Sequence, residues 1–491
     1  MAKENKASLM VQIVGKAMRE KRYALSSLHG GDKRLFLATM FFVGAVFVVL
    51  RLLPLDFRFL FSPLNLDPPA EKVVVFTPDQ ERVGDDGVVV RAFNPYGAAA
   101  YSFITMGAYR GGDRTFAVVG LSSKPLQVYS RPTYLCQWVT GGYNATSHYA
   151  AGYKMLPDWG YGRVYTVVVV NCSFQAPINS NAAGGRLFLH ASTSGGGDLD
   201  RNVTETMEVL SEEEGVNFIS PEHSEPKYDY LYCGSPLYGE LSPQRVREWV
   251  VYHVKLMGRR SHFVLYDAGG VHGEIRAVLK PWMELGYVTL HDIRRQERFD
   301  GYYHNQFLVV NDCLHRYKLR TRWMFFFDLD EYVYVPAGDT LQSVLSSFSN
   351  FSQITIEQMP MSGTLCLAAD RRRYYRAWGM EKLVYRDVKR GIRRDRKYAV
   401  QPRNVFATGV HISQNLAGET SHKTGGKIKY FHYHGTIAQR REPCRNLING
   451  SAAIEFENNP FVLDTTMRDI AGAVKKFEVK AIGSTLQKTR Q

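Results

Sequence analysis

Residues 325–336 read Phe-Phe-Phe-Asp-Leu-Asp-Glu-Tyr-Val-Tyr-Val-Pro. A bulky apolar run stops abruptly in three carboxylates within four positions, Asp328, Asp330 and Glu331. On an extended strand, residues two apart point to one side, which would aim Asp328 and Asp330 at a common spot. Two carboxylates facing one spot are costly unless a cation or a proton neutralises them. A hard divalent metal, Mg2+ or Mn2+, beside a phosphate-bearing substrate answers that need. Two other readings stand beside it. One is a solvated acidic turn. The other is a phosphatase-type Asp-x-Asp motif with a nucleophilic first Asp, which Tyr332 at the fifth position fits poorly.

Upstream, strands and helices alternate. YDYLYCG (228–234), HFVLYD (262–267), YVTLHDI (287–293) and WMFFFDLD (323–330) read as buried strands. Ser242 caps a helix with Pro243 at its first position and Gly258 at its end. Val246, Trp249, Val250, His253, Val254 and Met257 share one face of it. Further helices are expected near 273–285 and 303–320. This alternation predicts a Rossmann-like α/β domain with a mostly parallel sheet and the carboxylates at the C-terminal end of a strand, where such sheets bind ligands. No GxGxxG and no Walker A sequence is present, so a diphosphate would be gripped by a metal rather than by a glycine cradle.

The rest of the chain divides by composition. Residues 72–210 carry short β-branched or aromatic runs such as VVVF, TFAVVGL, VYTVVVVNC and GRLFLHA, separated by Gly, Pro, Asn and Ser, and read as an all-β sandwich. Its rings Tyr134, Trp138, Tyr143, Tyr149, Tyr153, Trp159 and Tyr161 serve either as core or as faces for sugars. Residues 211–227 form an acidic linker, 228–463 the α/β domain and 464–491 a C-terminal helix and tail. At the other end, Leu35–Leu50 is an unbroken apolar run, interrupted by Arg51 and extended by Leu52 and Leu53. Residues 35–53 thus suit a membrane anchor, with 1–34 as a cytosolic tail rich in Lys and Arg and 54–71 as a Pro-rich stem. A cleaved signal peptide would have a shorter apolar core and a small-residue cleavage site. Everything beyond the anchor is then lumenal. Sequons at Asn144, Asn171, Asn202, Asn350 and Asn449 agree, and an oxidising lumen permits disulfides among the six cysteines. Cys136 and Cys172, each ending a strand-like run, are a candidate pair, with buried free thiols as the alternative. Net charge is +14, which favours an anionic partner. A lumenal location argues against nucleic acid.

Seven ordered blocks within 228–445 resemble glycosyltransferase family 92, formerly the domain of unknown function 23 family. They are CGSPLYGE (233–240), REWVVYHVKLMG (247–258), FVLYD (263–267), VLKPWMELGYV (278–288), the long block 305–336, KYAVQPRNVFATGVHIS (397–413) and FHYHG (431–435). With an all-β domain between anchor and catalytic half, the arrangement is similar to that of the family's plant galactan synthases, pectin β-1,4-galactosyltransferases whose β domain is classed as a carbohydrate-binding module. The resemblance implies a GT-A fold, UDP-galactose as donor, Mn2+ as cofactor, an inverting reaction and a Golgi membrane enzyme of single-pass type II topology. The implied acceptor is the non-reducing end of β-1,4-galactan, the side chain of pectic rhamnogalacturonan I. A homodimer is compatible with it.

Carried over residue by residue, the resemblance makes Asp328 and Asp330 the metal pair, with Glu331 behind them. A later His completes the site in such enzymes, and His432 ranks ahead of His434 by position. The turn Cys233, Gly234, Ser235, Pro236 and the strand end Asp267 are placed to touch the UDP-sugar; for Asp267 a cap is the structural alternative. An inverting reaction also needs a general base, which the sequence does not single out; Glu381, Glu357 and Asp387 are candidates, though taken one at a time each reads first as a surface or salt-bridged carboxylate. Residues 370–397 hold twelve Lys or Arg against four acids, which suits a solvated loop, a diphosphate or an acidic glycan. Two other functions compete: a Golgi nucleotide-sugar transferase with a different sugar or linkage, and a non-catalytic glycan-binding scaffold built on a degenerate transferase.

Overall fold

The computed structural model describes residues 82–90, 102–124, 132–156, 164–193, 203–215, 225–299, 302–389, 396–437 and 440–489. The segments read as tail, anchor and stem lie outside the described residues. Among the described residues no helix is long and apolar enough to cross a membrane.

A short hairpin, β1 (Arg82–Val83) and β2 (Val89–Val90), comes first. Seven strands follow: β3 (Phe103–Arg110), β4 (Thr115–Ser123), β5 (Thr133–Thr140), β6 (Ser147–Leu156), β7 (Tyr165–Ser173), β8 (Gly185–Thr193) and β9 (Val203–Glu212). They form one antiparallel sheet of order β3-β4-β7-β6-β5-β8-β9. Its two edges meet. Arg110 of β3 donates to both carboxylate oxygens of Glu212 on β9, at 2.6 and 2.5 Å, and Thr105 Oγ1 lies 3.8 Å from Met207 Sδ. The sheet therefore curls into a sandwich- or barrel-like body, which leaves little open edge for aggregation. Phe116 stacks on Trp138 at 5.5 Å inside it. The Cys136–Cys172 disulfide ties β5 to β7, the pairing the strand-end positions suggested. Tyr134 and Trp138 fill the core, whereas Tyr143, Tyr149 and Tyr153 are exposed. Trp159 and Tyr161 lie outside the described residues.

The second body begins with β10 (Tyr228–Cys233), α1 (Pro243–Met257), β11 (Ser261–Asp267), α2 (Gly273–Glu284), β12 (Val288–Asp292), α3 (Tyr302–Tyr317) and β13 (Thr321–Phe326). β14 (Glu331–Tyr334) and β15 (Gln353–Met361) follow, and α4 (Thr466–Ile482) closes the chain's structured part. The expected Rossmann-like, mostly parallel α/β domain of GT-A type is corrected here. Among the described residues the strands form a mixed sheet of fourteen, and β structure dominates. Parallel ladders join β2, β12, β11, β10 and β13. Beyond β13 the partners are antiparallel: Lys397–Val400 lies between β13 and β15, and β14 pairs with Lys429–Tyr433. Within this sheet, among the described residues, only β15 adds parallel ladders there, to Thr420–Ser421 and to Lys429–Tyr433; Leu365–Leu367 and Asn446–Ile448 form a separate parallel pair. The reason is that strand–helix alternation stops at β13. Between β13 and α4 no described helix exceeds six residues. Without long crossover helices, neighbouring strands return antiparallel.

The cap of α1 is as its sequence predicts. Ser242 Oγ accepts from Arg245 N at 3.3 Å, and Gly258 ends the helix at φ 76°. Val246, Val250 and Val254 are buried, each worth about 2 kcal/mol in apolar burial. The same face fixes the chain just past the carboxylates. Trp249 Nε1 donates to Glu331 O at 2.9 Å, Tyr252 Oη to Val333 O at 2.6 Å, and Val333 N to His253 Nε2 at 3.2 Å. α4 is locked on by a bidentate Arg247–Glu478 pair, both bonds 2.6 Å and both side chains buried.

Candidate active site

β13 ends at Phe326, and Asp328–Asp330 occupy the turn into β14 rather than an extended strand. The turn is closed by Glu331 N donating to Asp328 O at 3.1 Å. Its two Asp side chains take different partners. Asp328 Oδ2 takes Lys397 Nζ at 2.8 Å, and Asp328 Oδ1 takes the Ser235 hydroxyl. Gln306 Nε2 in turn donates to Ser235 Oγ at 2.8 Å. Asp330 Oδ2 accepts from Gly435 N at 3.2 Å, and its Oδ1 faces His432 Nε2 at 3.6 Å. Pairing of Glu331 with His432 across β14 and Lys429–Tyr433 makes this meeting a matter of register. Gln358 Nε2 meets His432 Nδ1 at 2.5 Å and holds the ring so that Nε2 points at Asp330. His434 is exposed, with Nδ1 3.4 Å from His432 Nε2.

Glu331 lies beneath the pair. Its Oε2 accepts from Asp328 N at 2.7 Å, and Lys397 Nζ is 3.7 Å away. The protonation states follow from this packing. Burial pushes Glu331 up to about 8. Burial opposes ionisation of Asp328 too, but the Lys397 ammonium and the Ser235 hydroxyl outweigh it and hold that carboxyl below its ordinary range. Burial works against the Lys397 charge and is outweighed by Asp328 and Glu331, so Lys397 is raised. His432 is likewise raised by Asp330 in spite of burial.

Among the described residues, no three His, Cys, Asp or Glu side chains converge as a ready-made metal cage. A hard cation of the Mg2+ or Mn2+ kind does not need one, because it takes one or two protein ligands and completes its shell with substrate phosphates and water. Asp330 and His432, facing each other beside an anionic cluster, fit that pattern. Asp328 fits it less directly, since Lys397 and Ser235 occupy its oxygens.

Known sequences match the part of the chain that carries this cluster. The model of glycosyltransferase family 92 matches residues 228–469. Galactan beta-1,4-galactosyltransferase GALS3 of Arabidopsis thaliana is 57% identical over 451 residues, covering 89% of both chains. The chain belongs to glycosyltransferase family 92. GALS2 and GALS1, galactan beta-1,4-galactosyltransferases of the same plant, are 62% identical over 408 residues (82% of this chain, 78% of GALS2) and 50% identical over 401 (81% and 79%). This family 92 chain is accordingly a glycosyltransferase, acting with a sugar donor and a glycan acceptor.

Other expected site residues of the family 92 chain lie as follows. Cys233 is bonded to Cys313 of α3, so it staples the turn rather than offering a thiol. Gly234 has no room for a side chain: a Cβ would fall 1.7 Å from Tyr232 Oη, which itself donates to Phe327 O at 2.9 Å. Pro236 is buried. Asp267 is 3% exposed and its Oδ1 accepts from Gly269 N at 2.8 Å and Val271 N at 3.1 Å, so its carboxylate caps the turn before α2. Of the base candidates, Glu381 accepts from Trp378 N at 2.6 Å and pairs with Lys475. Asp387 accepts from Lys389 N at 2.7 Å. Glu357 is exposed on β15, and strand alternation turns it away from the face on which Gln358 meets His432. Lys397 and Gln306 belong to the site without a local sequence signal of the Asp-Leu-Asp kind. Lys397 ends a basic stretch, yet it opens the apolar strand Lys-Tyr-Ala-Val, and a lysine entering a buried strand is itself a signal.

Proposed function

We propose that this family 92 transferase moves galactose from UDP-galactose to the non-reducing end of β-1,4-galactan, by an inverting, Mn2+-dependent reaction. The observation that carries the site assignment is Asp330 facing His432 at 3.6 Å beside the Lys397–Asp328 pair. The names of its Arabidopsis thaliana relatives support the sugar and the linkage. Bound at Asp330 and His432, the metal would neutralise charge on the departing diphosphate. The chain's own groups keep that site in order. Gly435 N and the ring of His432 orient Asp330. Lys397 and Ser235 hold Asp328 ionised next to it. Glu331 fixes the turn through Asp328 N. The apolar run of residues 35–53 and the sequons support a Golgi location with a lumenal catalytic body, anchored by that segment.

The test is a donor panel. Purified enzyme, a β-1,4-galacto-oligosaccharide and a set of UDP-sugars should give elongation with UDP-galactose, and the product should be cut by an endo-β-1,4-galactanase. Elongation with another UDP-sugar, or a product that resists the galactanase, would replace the donor or linkage in this proposal.

A further inference from the structure

A second pocket lies apart from the carboxylate cluster. It is a cavity of about 530 Å³, lined by Asp370 and residues 372–377 together with Glu381, Lys382, Arg468 and Lys475. None of Asp328, Asp330, His432 or Ser235 lines it. It is nonetheless tied to that cluster. Gly379 N donates to Glu248 Oε1 at 2.7 Å, Glu248 holds Arg245 at 2.6 Å, and Arg245 reaches Thr436 Oγ1 at 3.2 Å, next to the Gly435 that donates to Asp330.

Six cations line this cavity against two acids, and their pairing is uneven. Arg468 lies 2.7 Å from Asp370, Lys475 contacts Glu381, and Lys382 meets Glu442 at 2.9 Å. Arg372, Arg373 and Arg376 have no carboxylate partner among the described residues. Three guanidiniums on one short segment, all exposed and unneutralised, create a local positive field. Their planar forks suit oxyanions that accept two hydrogen bonds. Between them stands Tyr375, with 70% of its surface in solvent and Arg376 over its ring at 5.0 Å. Tyr374 forms the floor, its hydroxyl bonded to Leu367 O. Open tyrosine faces are surfaces on which the C–H face of a sugar ring packs, while guanidiniums bind what the ring carries.

We propose that this pocket binds a carboxylated sugar, a uronate-bearing stretch of glycan, independently of the donor site. A small inorganic anion would need the guanidiniums but not the exposed ring. A neutral glycan would need the ring but not three unpaired cations. A uronate oligosaccharide uses both, with ring faces and carboxylates alternating along one chain. The proposal extends the reading of this chain as a glycan-acting transferase but does not depend on the donor assigned above.

The experiment measures binding on the full chain by calorimetry. The probes are a defined oligogalacturonate, a neutral β-1,4-galacto-oligosaccharide and inorganic pyrophosphate. The proteins are wild type, the triple variant Arg372→Ala/Arg373→Ala/Arg376→Ala, and Tyr375→Ala. Wild type is expected to bind the oligogalacturonate, more weakly at raised salt. The triple variant is expected to lose about tenfold or more in affinity, the sum of three exposed ion pairs. Tyr375→Ala is expected to weaken the same ligand while leaving pyrophosphate unaffected. Transfer to the neutral acceptor serves as the folding control and should be unchanged in all variants. Equal oligogalacturonate affinity in wild type and the triple variant would overturn the proposal. So would pyrophosphate binding that falls in parallel in the triple variant while Tyr375→Ala has no effect, which would mark an anion site with no sugar specificity. Absence of transfer from UDP-galactose would count against the donor assignment alone, because the binding arm is read separately.

Discussion

Lys397 Nζ sits 2.8 Å from Asp328 Oδ2 and 3.7 Å from Glu331 Oε2, with 3% of its own side chain exposed. One buried ammonium thus serves two carboxylates at the turn on which the activity is proposed to depend. Its removal takes the ion-pair partner from Asp328 and leaves Glu331 with His432, 3.8 Å away, as its neighbouring cation.

Lys397→Met is therefore expected to destabilise the protein by about 3 kcal/mol, the lower end for breaking a buried pair because Asp328 keeps a third of its side chain in solvent. Transfer should fall at least about a hundredfold, since misplacement near reacting groups carries that scale of loss. Lys397→Arg should recover part of the stability. Urea unfolding and initial-rate assays on the same preparations check both, and an active, fully stable Lys397→Met would remove Lys397 from the site.

The link between β10 and α3 gives a second prediction. Cys233–Cys313 spans 80 residues and holds the turn that carries Ser235. Replacing both cysteines by alanine should cost about 4.5 kcal/mol, the chain-entropy value for a loop of this length. Activity should fall further than stability explains, because Ser235 and Gln306 are then less firmly placed against Asp328. Unfolding midpoints with and without reductant, compared with rates well below the midpoint, separate the two effects.

Much of this arrangement is legible in the sequence, and the part that is not has a common cause. The cap at Ser242, the end at Gly258 and the buried face of α1 are local signals, and the structure reproduces them. The abrupt change from three Phe to Asp-Leu-Asp-Glu marks the turn that the structure surrounds with Lys397, Ser235 and His432. What local pattern cannot encode is which distant strand pairs with which. The antiparallel half of the large sheet depends on Lys397–Val400 slotting between β13 and β15 and on Glu331 pairing with His432, contacts made across many tens of residues. The same distance hides Lys397 from a reading by segments, because its partner Asp328 is 69 positions away.

Three buried histidines set the acid limit of stability. Burial pushes His253 down to about 3, His262 to about 4 and His315 to about 3. In the unfolded chain each titrates near about 6.5. With folded values below the unfolded one, the native state stays neutral while the unfolded state takes up protons. Their contribution is complete above about pH 6.5 and is lost as pH falls below it. At pH 5.5 the three together would cost about 4 kcal/mol. His432, raised by Asp330 in spite of burial, acts in the opposite sense and offsets part of this loss. Urea unfolding at pH 7.5, 6.5 and 5.5 checks this; a flat profile would mean that these rings are not held neutral.

The most direct measurement concerns Asp330 and His432. Galactosyl transfer from UDP-galactose to a β-1,4-galacto-oligosaccharide is assayed with Mn2+, with chelator, and with Mn2+ restored, for wild type, Asp328→Asn, Asp330→Asn, His432→Ala and His434→Ala. The account predicts transfer by wild type that chelator abolishes and Mn2+ restores. Asp328→Asn and Asp330→Asn should fold and be inactive, and His432→Ala should be impaired far more than His434→Ala. Transfer that survives the chelator, or an Asp330→Asn enzyme that works at the wild-type rate, would contradict it.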